Sequence, residues 1–147
     1  MNGRIRFRDH WFIMFFPSDV PKWWMWWARW VRLDYRHLAM VRYDEEKEVF
    51  VALEIFSGGG HMKILEPYQF VIMQNHATEV LSVMSQVDPY SFYFPRIFTC
   101  VSCCKHLLGF FWPTVITPWQ LRCTLLEKAG ATKHEPDYLN EVKNGHL

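Results

Sequence analysis

The chain carries almost no charge imbalance: 16 Lys and Arg stand against 15 Asp and Glu, a formal net charge of +1. That balance argues against a nucleic-acid partner, which needs a clustered basic surface; Arg4, Arg6 and Arg8 are too few and too spaced to make one. A long unbroken apolar run is missing as well. The most apolar stretch, residues 11–31, is interrupted by Pro17, Asp19, Pro21, Lys22 and Arg29, so no transmembrane segment is expected. The same stretch lacks a cleavage site of small residues, which argues against a secretory signal. Cysteine is scarce, 4 in 147 residues, and without such a signal these read as free thiols rather than a disulfide framework. No internal repeat and no linker divides the chain, so a single domain is expected.

Apolar residues supply half the chain and aromatics 18%, enough for a heavy core in a domain of this length. WFIMFF (11–16), ended by Pro17, suits a buried strand. SDVPKWWMWWARWV then reads as a helix, with Ser18 or Asp19 as cap and Pro21 in its first turn. YRHLAMVRY and EVFVALEIF, joined by DEEK, read as a hairpin. SGGG turns the chain into the strand HMKIL, a short helix follows from Pro67 to about Gln74, and EVLSVMS (79–85) alternates like a strand. QVDPYSFYFP is expected to be a loop. Thr99 caps a helix that runs to about Leu108 and stops at Gly109. Thr117-Pro118-Trp119-Gln120 has the form of a capping box with proline at the first helical position; Leu121, Leu125 and Leu126 line one face of that helix, and Gly130 closes it. The order is β-α-β-β-β-(α)-β-α-α, an α+β domain with an antiparallel sheet packed against helices over residues 1–131, followed by a loose polar tail over 132–147.

FTCVSCCKHLLG (98–109) holds three of the four cysteines within five positions. Cys100 and Cys103 have the spacing of half a zinc site, and Cys104, Cys123, His61, His76 or His106 could complete it. No second close pair exists, however, and Cys103 and Cys104 project about 100° apart on a helix. Neither metal nor cofactor is therefore expected. CxxC at a helix start also suits disulfide exchange, but such motifs normally follow an early strand of a βαβ unit. Cys103, Cys104 and Cys123 read as core packing, with Cys103 sharing a stripe with Leu107 and Cys104 with Leu108. Cys100 differs. It lies at the first helical position, where unpaired N–H groups and the helix dipole favour a thiolate and could also hold an oxyanion.

A nucleophilic cysteine needs a base and the base an orienting group. With DEEK (44–47) as a four-residue loop, Tyr43 pairs with Glu48, and His37 then directly faces Glu54, the only acid in VFVALEIF. A buried carboxylate needs a partner, and His37 is placed to be one. His61, beside SGGG, is the rival base.

Histidine on one strand, a carboxylate on the next and cysteine opening a later helix is the papain-type set in reversed chain order. The pattern resembles the circularly permuted papain-like cysteine hydrolases of the NlpC superfamily, and more closely small phage and bacterial members of that type. The matching stretches, spread over residues 11–131, are FFP, the Trp-rich segment ending in YRHLAMV, EIFSGGGHMKIL, FTCVSCCKHLLG and TPWQLRCTLLEKAGA. The resemblance implies Cys100 as nucleophile, His37 as base and Glu54 as orienting acid, on a permuted papain-like sheet packed against the Cys100 helix. It implies a peptidase or amidase acting on a peptide or acyl substrate such as peptidoglycan peptides, and a cytoplasmic or phage virion setting. Three departures stand out: a Trp-richer early helix, two extra thiols, and Glu where related proteins carry Asp.

A second reading is a structural or interaction protein, for example a virion component, without turnover. Trp23, Trp24, Trp26, Trp27 and Trp30 exceed what one helix face buries, so that helix is the expected contact with a protein partner or a membrane surface. Thiol redox chemistry through Cys100 and Cys103 is a third.

Overall fold

The computed structural model describes residues 10–17, 35–56, 59–85 and 99–135. The expected Trp-rich contact helix and the loop over 86–95 lie outside the described residues. Along the rest run β1 (His10–Phe16), β2 (His37–Asp44), β3 (Val49–Phe56), β4 (Gly59–Leu65), α1 (Pro67–His76), β5 (Glu79–Met84), α2 (Cys100–Leu108), α3 (Pro118–Lys128) and β6 (Thr132–Lys133). The strands form one antiparallel sheet in the order β4-β3-β2-β1-β5-β6. This is the α+β arrangement expected. No helix among the described residues is long and apolar enough to cross a membrane.

β1 and β2 occupy the middle, which explains their composition. Ile13, Met14 and Phe15 are completely buried in succession, as are Ala39, Met40 and Val41. Consecutive residues of a strand point to opposite faces, so both faces must be covered. On one face Ile13, Phe15, Leu38, Met40, Leu81 and Val83 pack against Val101, Cys103, Cys104 and Leu108 of α2 and Leu121 and Leu125 of α3. On the other, Met14, Val41, Ala52 and Val80 pack against Phe70 of α1, whose ring stacks on Phe50 at 4.0 Å. β1 is bounded at one end by Pro17, which has no N–H for the ladder, and at the other by His10, whose Nε2 shares a hydrogen bond with Ser82 Oγ on β5.

Both C-terminal helices end as their sequences dictate. Thr99 and Thr117 close capping boxes with Ser102 and Gln120, and Pro118 takes the first helical position of α3. Gly109 (φ 78°) and Gly130 (φ 66°) adopt the left-handed conformation that glycine supplies without strain. In the turn between the helices Lys105 Nζ donates to the carbonyls of Trp112 (2.8 Å) and Val115 (2.7 Å), so one ammonium ties the connection to α2.

Three boundaries differ from expectation. The β2–β3 loop is Glu45–Glu48 rather than 44–47: Asp44 Oδ1 accepts from the N–H groups of Glu46 (3.1 Å) and Lys47 (3.3 Å), which keeps Asp44 as the last strand residue, paired with Val49. Glu48 closes the turn at φ 54°. β4 begins at Gly59, inside the expected SGGG turn. The tail starts later than residue 132, because Thr132 and Lys133 pair with β5 and the His134 N–H continues to the Val80 carbonyl at 2.9 Å.

Lys105→Met keeps the apolar stem and removes the donor from two carbonyls, and is expected to lower stability by about 2 kcal/mol in urea denaturation. An unchanged midpoint would mean that the Val115 N–H bond to Trp112 O suffices to hold the turn.

Candidate functional site

Cys100 is the first residue of α2, held there by the Thr99 cap. Its thiol is partly buried, where the backbone of Leu38 and the first amides of its own helix hydrogen-bond it. Burial pushes the thiol up in pKa, and the backbone bonds from Leu38, Val101 and Cys100 pull it back only in part. The helix start thus supplies the expected N–H groups, but desolvation of the charged form outweighs them. Cys103 and Cys104 lie buried beside it and are also raised, by burial first and then by the Cys100 charge. Both thiols fill the core, as expected.

His37 opens β2 opposite Phe16 of β1, with the two rings 6.4 Å apart. Burial lowers its pKa, and the Glu54 charge raises it again. The direct cross-strand pair of His37 and Glu54 does not form: Glu54 faces Ala39 on β2 and His61 on β4. The hairpin loop lies one residue later than DEEK, and this moves every partner by two. A shift of two preserves the face, so His37 and Glu54 still share one side of the sheet, as diagonal neighbours. The rival base, His61, stands directly across from Glu54. The carboxylate itself is bonded to Lys63 Nζ at 3.0 Å.

The sheet brings these residues to one end and divides them between its faces. Leu38 points toward α2, so Cys100 approaches from that side; His37 and Glu54 point toward the α1 side with Phe16. The β2–β3 ladder stops at Ala39 and Glu54, and Cys100 reaches the backbone just beyond that last rung, at the residue following His37. Among the described residues no cluster of three or more His, Cys, Asp or Glu side chains could hold a metal ion.

The densest electrostatic cluster among the described residues was not anticipated from the sequence. Glu79, at the start of β5, accepts from Arg122 Nε at 2.5 Å and Nη2 at 2.9 Å, from Tyr35 Oη at 3.2 Å and from Lys133 Nζ at 3.0 Å. The Arg122 guanidinium also lies 5.0 Å from the Trp119 ring centroid and 5.8 Å from that of Tyr35. Burial alone would raise the Glu79 pKa, but hydrogen bonds and charge from Arg122 and Lys133 prevail and bring it to about 2. Its signals were an acid opening an apolar strand and an arginine set among the leucines of α3. The pairing joins residues 43 positions apart, which no local pattern reveals.

No protein-family model matches the chain, and comparisons with curated proteins and with solved structures find no match.

A carboxylate held below its ordinary pKa stabilises the fold above that ordinary value and loses its contribution as pH falls toward the folded one. Between about pH 4.5 and 2 the protein is therefore expected to lose on the order of 3 kcal/mol through Glu79. Glu79→Gln should be less stable at pH 7 and flatter across that window in chemical denaturation. Parallel pH profiles for the two proteins would assign the acid sensitivity to other carboxylates.

Proposed function

We propose that the chain is a cysteine hydrolase of amide or related acyl bonds, with Cys100 as nucleophile, His37 as base and Glu54 as the group that orients the imidazole. One observation carries the reading: the thiol at a helix N-terminus touches the backbone of the residue following His37, at the end of the sheet where Glu54 closes the last β2–β3 rung. His37 opens its strand beyond that rung, so turning its ring around the strand end toward α2 is the rearrangement catalysis requires.

In the proposed sequence His37 takes the Sγ proton, and the sulfur adds to the substrate carbonyl. The amides at the start of α2 face the developing oxyanion. The imidazolium then protonates the leaving amine, which departs as a thioester forms. Water, deprotonated by His37, resolves the thioester and returns the thiol. The resemblance points to peptide amides, peptidoglycan peptides among them, as the substrate class and to a phage or bacterial setting.

The raised Cys100 pKa and its separation from His37 by the sheet favour a second reading, a structural or interaction protein in which Cys100 only packs.

Iodoacetamide labelling across pH, read at each cysteine by mass spectrometry, separates the two. The hydrolase reading expects Cys100 to label about tenfold faster than Cys123 near pH 7, an advantage that His37→Ala removes. Equal rates with an ordinary thiol profile, unchanged by the substitution, would leave the packing reading.

A further inference from the structure

The two margins of the sheet are built differently. β6 is two residues long and offers little backbone to pair with. β4 is seven residues long, unbroken by proline or bulge, and paired with β3 along its whole length. Among the described residues no strand pairs with its outer edge. Such an edge presents a row of N–H and C=O groups, and proteins ordinarily guard it with charge, proline or a bulge.

The β4 guards are weak. Lys63 is its only lysine, and its ammonium is drawn inward to Glu54 on the neighbouring β3 at 3.0 Å. On the opposite face Met62 and Ile64 are 72% and 69% exposed. They stand opposite Leu53 and Val51 of β3, and so extend the apolar face that carries α2 and α3 to the margin of the sheet.

We propose that β4 is a dimerisation edge: it pairs antiparallel with β4 of a second copy of this chain about a twofold axis at Met62, making one continuous twelve-stranded sheet from two six-stranded ones. The strand's own sequence selects this register. Centred on Met62, all seven residues of each copy are paired, Gly59 with Leu65 of the partner at both ends. A shift by two residues leaves five pairs, and the shift toward Leu65 sets Lys63 against its own copy. A shift by one sets the apolar face of one strand beside the polar face of the other, which pairing does not tolerate. In the selected register Lys63 lies opposite the partner's His61, not opposite another lysine, and Glu54 remains on its own Lys63. Met62 meets Met62, and Ile64 lies opposite the partner's Gly60, beside the Ile55 side chain that covers that glycine. The contact is isologous and closed, so it ends at two copies.

Sedimentation of the full chain over a range of concentration tests this. The wild type is expected to show a reversible rise to twice the 17.7 kDa chain mass. Because Met62 faces itself across the axis, Met62→Lys and Met62→Glu should each weaken the dimer by about tenfold or more, while an equimolar mixture of the two restores it. Met62 is largely exposed, so both variants should fold. As a measure independent of variants, the β4 amides that point away from β3 should gain hydrogen-exchange protection as wild-type concentration rises. A wild type monomeric throughout would overturn the proposal. So would a dimer indifferent to both substitutions, or β4 protection that is strong at every concentration and so arises within one chain.

Discussion

Three consecutive residues of β1 without solvent contact, Ile13, Met14 and Phe15, impose the rest of the architecture. A strand in that state needs neighbours on both edges and cover on both faces. β2 and β5 supply the edges, α2 and α3 one cover, and α1 the other. The chain therefore places a sheet through its centre rather than along one side. Any chemistry between α2 and a residue facing α1 must pass around the sheet's end. That is the geometric reason why Cys100 reaches only the backbone of Leu38, next to His37, where the β2–β3 ladder stops.

The same constraint decides the electrostatics. The start of α2 offers amides that favour a thiolate, yet the helix packs closely enough on Leu38 and Met40 for desolvation to outweigh them. Glu79 shows the opposite balance. It too is buried, but a bidentate guanidinium and a second cation reach it, and the ionised form prevails. Burial enters both sites with the same sign; the presence of a cation separates them.

What could be read from the sequence followed from range. Caps and helix ends depend on residues three or four apart, and Thr99, Gly109, Thr117, Pro118 and Gly130 act as their identities suggest. The strands of β1, β2, β3 and β5 were legible from apolar runs, alternation and their bounding turns. Register was not, because it turned on a single side chain, the Asp44 carboxylate, deciding which residue ends the strand. β6 is too short to carry a pattern, and the Glu79–Arg122 pair spans too much sequence for one. At the site the common face of His37 and Glu54 was legible, whereas their direct pairing failed with the register and the side from which Cys100 approaches depended on packing.

The unbroken apolar composition of β1 has one more consequence. In a strand with one wet face, the alternation of side chains works as a vernier: a slip by one residue is punished at every position. β1 has no such scale along its middle, since moving Ile13, Met14 and Phe15 by one exchanges apolar for apolar. Alignment information must then reside at the strand's ends. The His10 imidazole fastened to Ser82 marks one end. At the other, the Phe15 carbonyl receives the Thr78 N–H at 2.7 Å, and Pro17 stops the ladder. A strand buried in the middle of the core thus says little about where it belongs, and a few polar terminal groups fix its address.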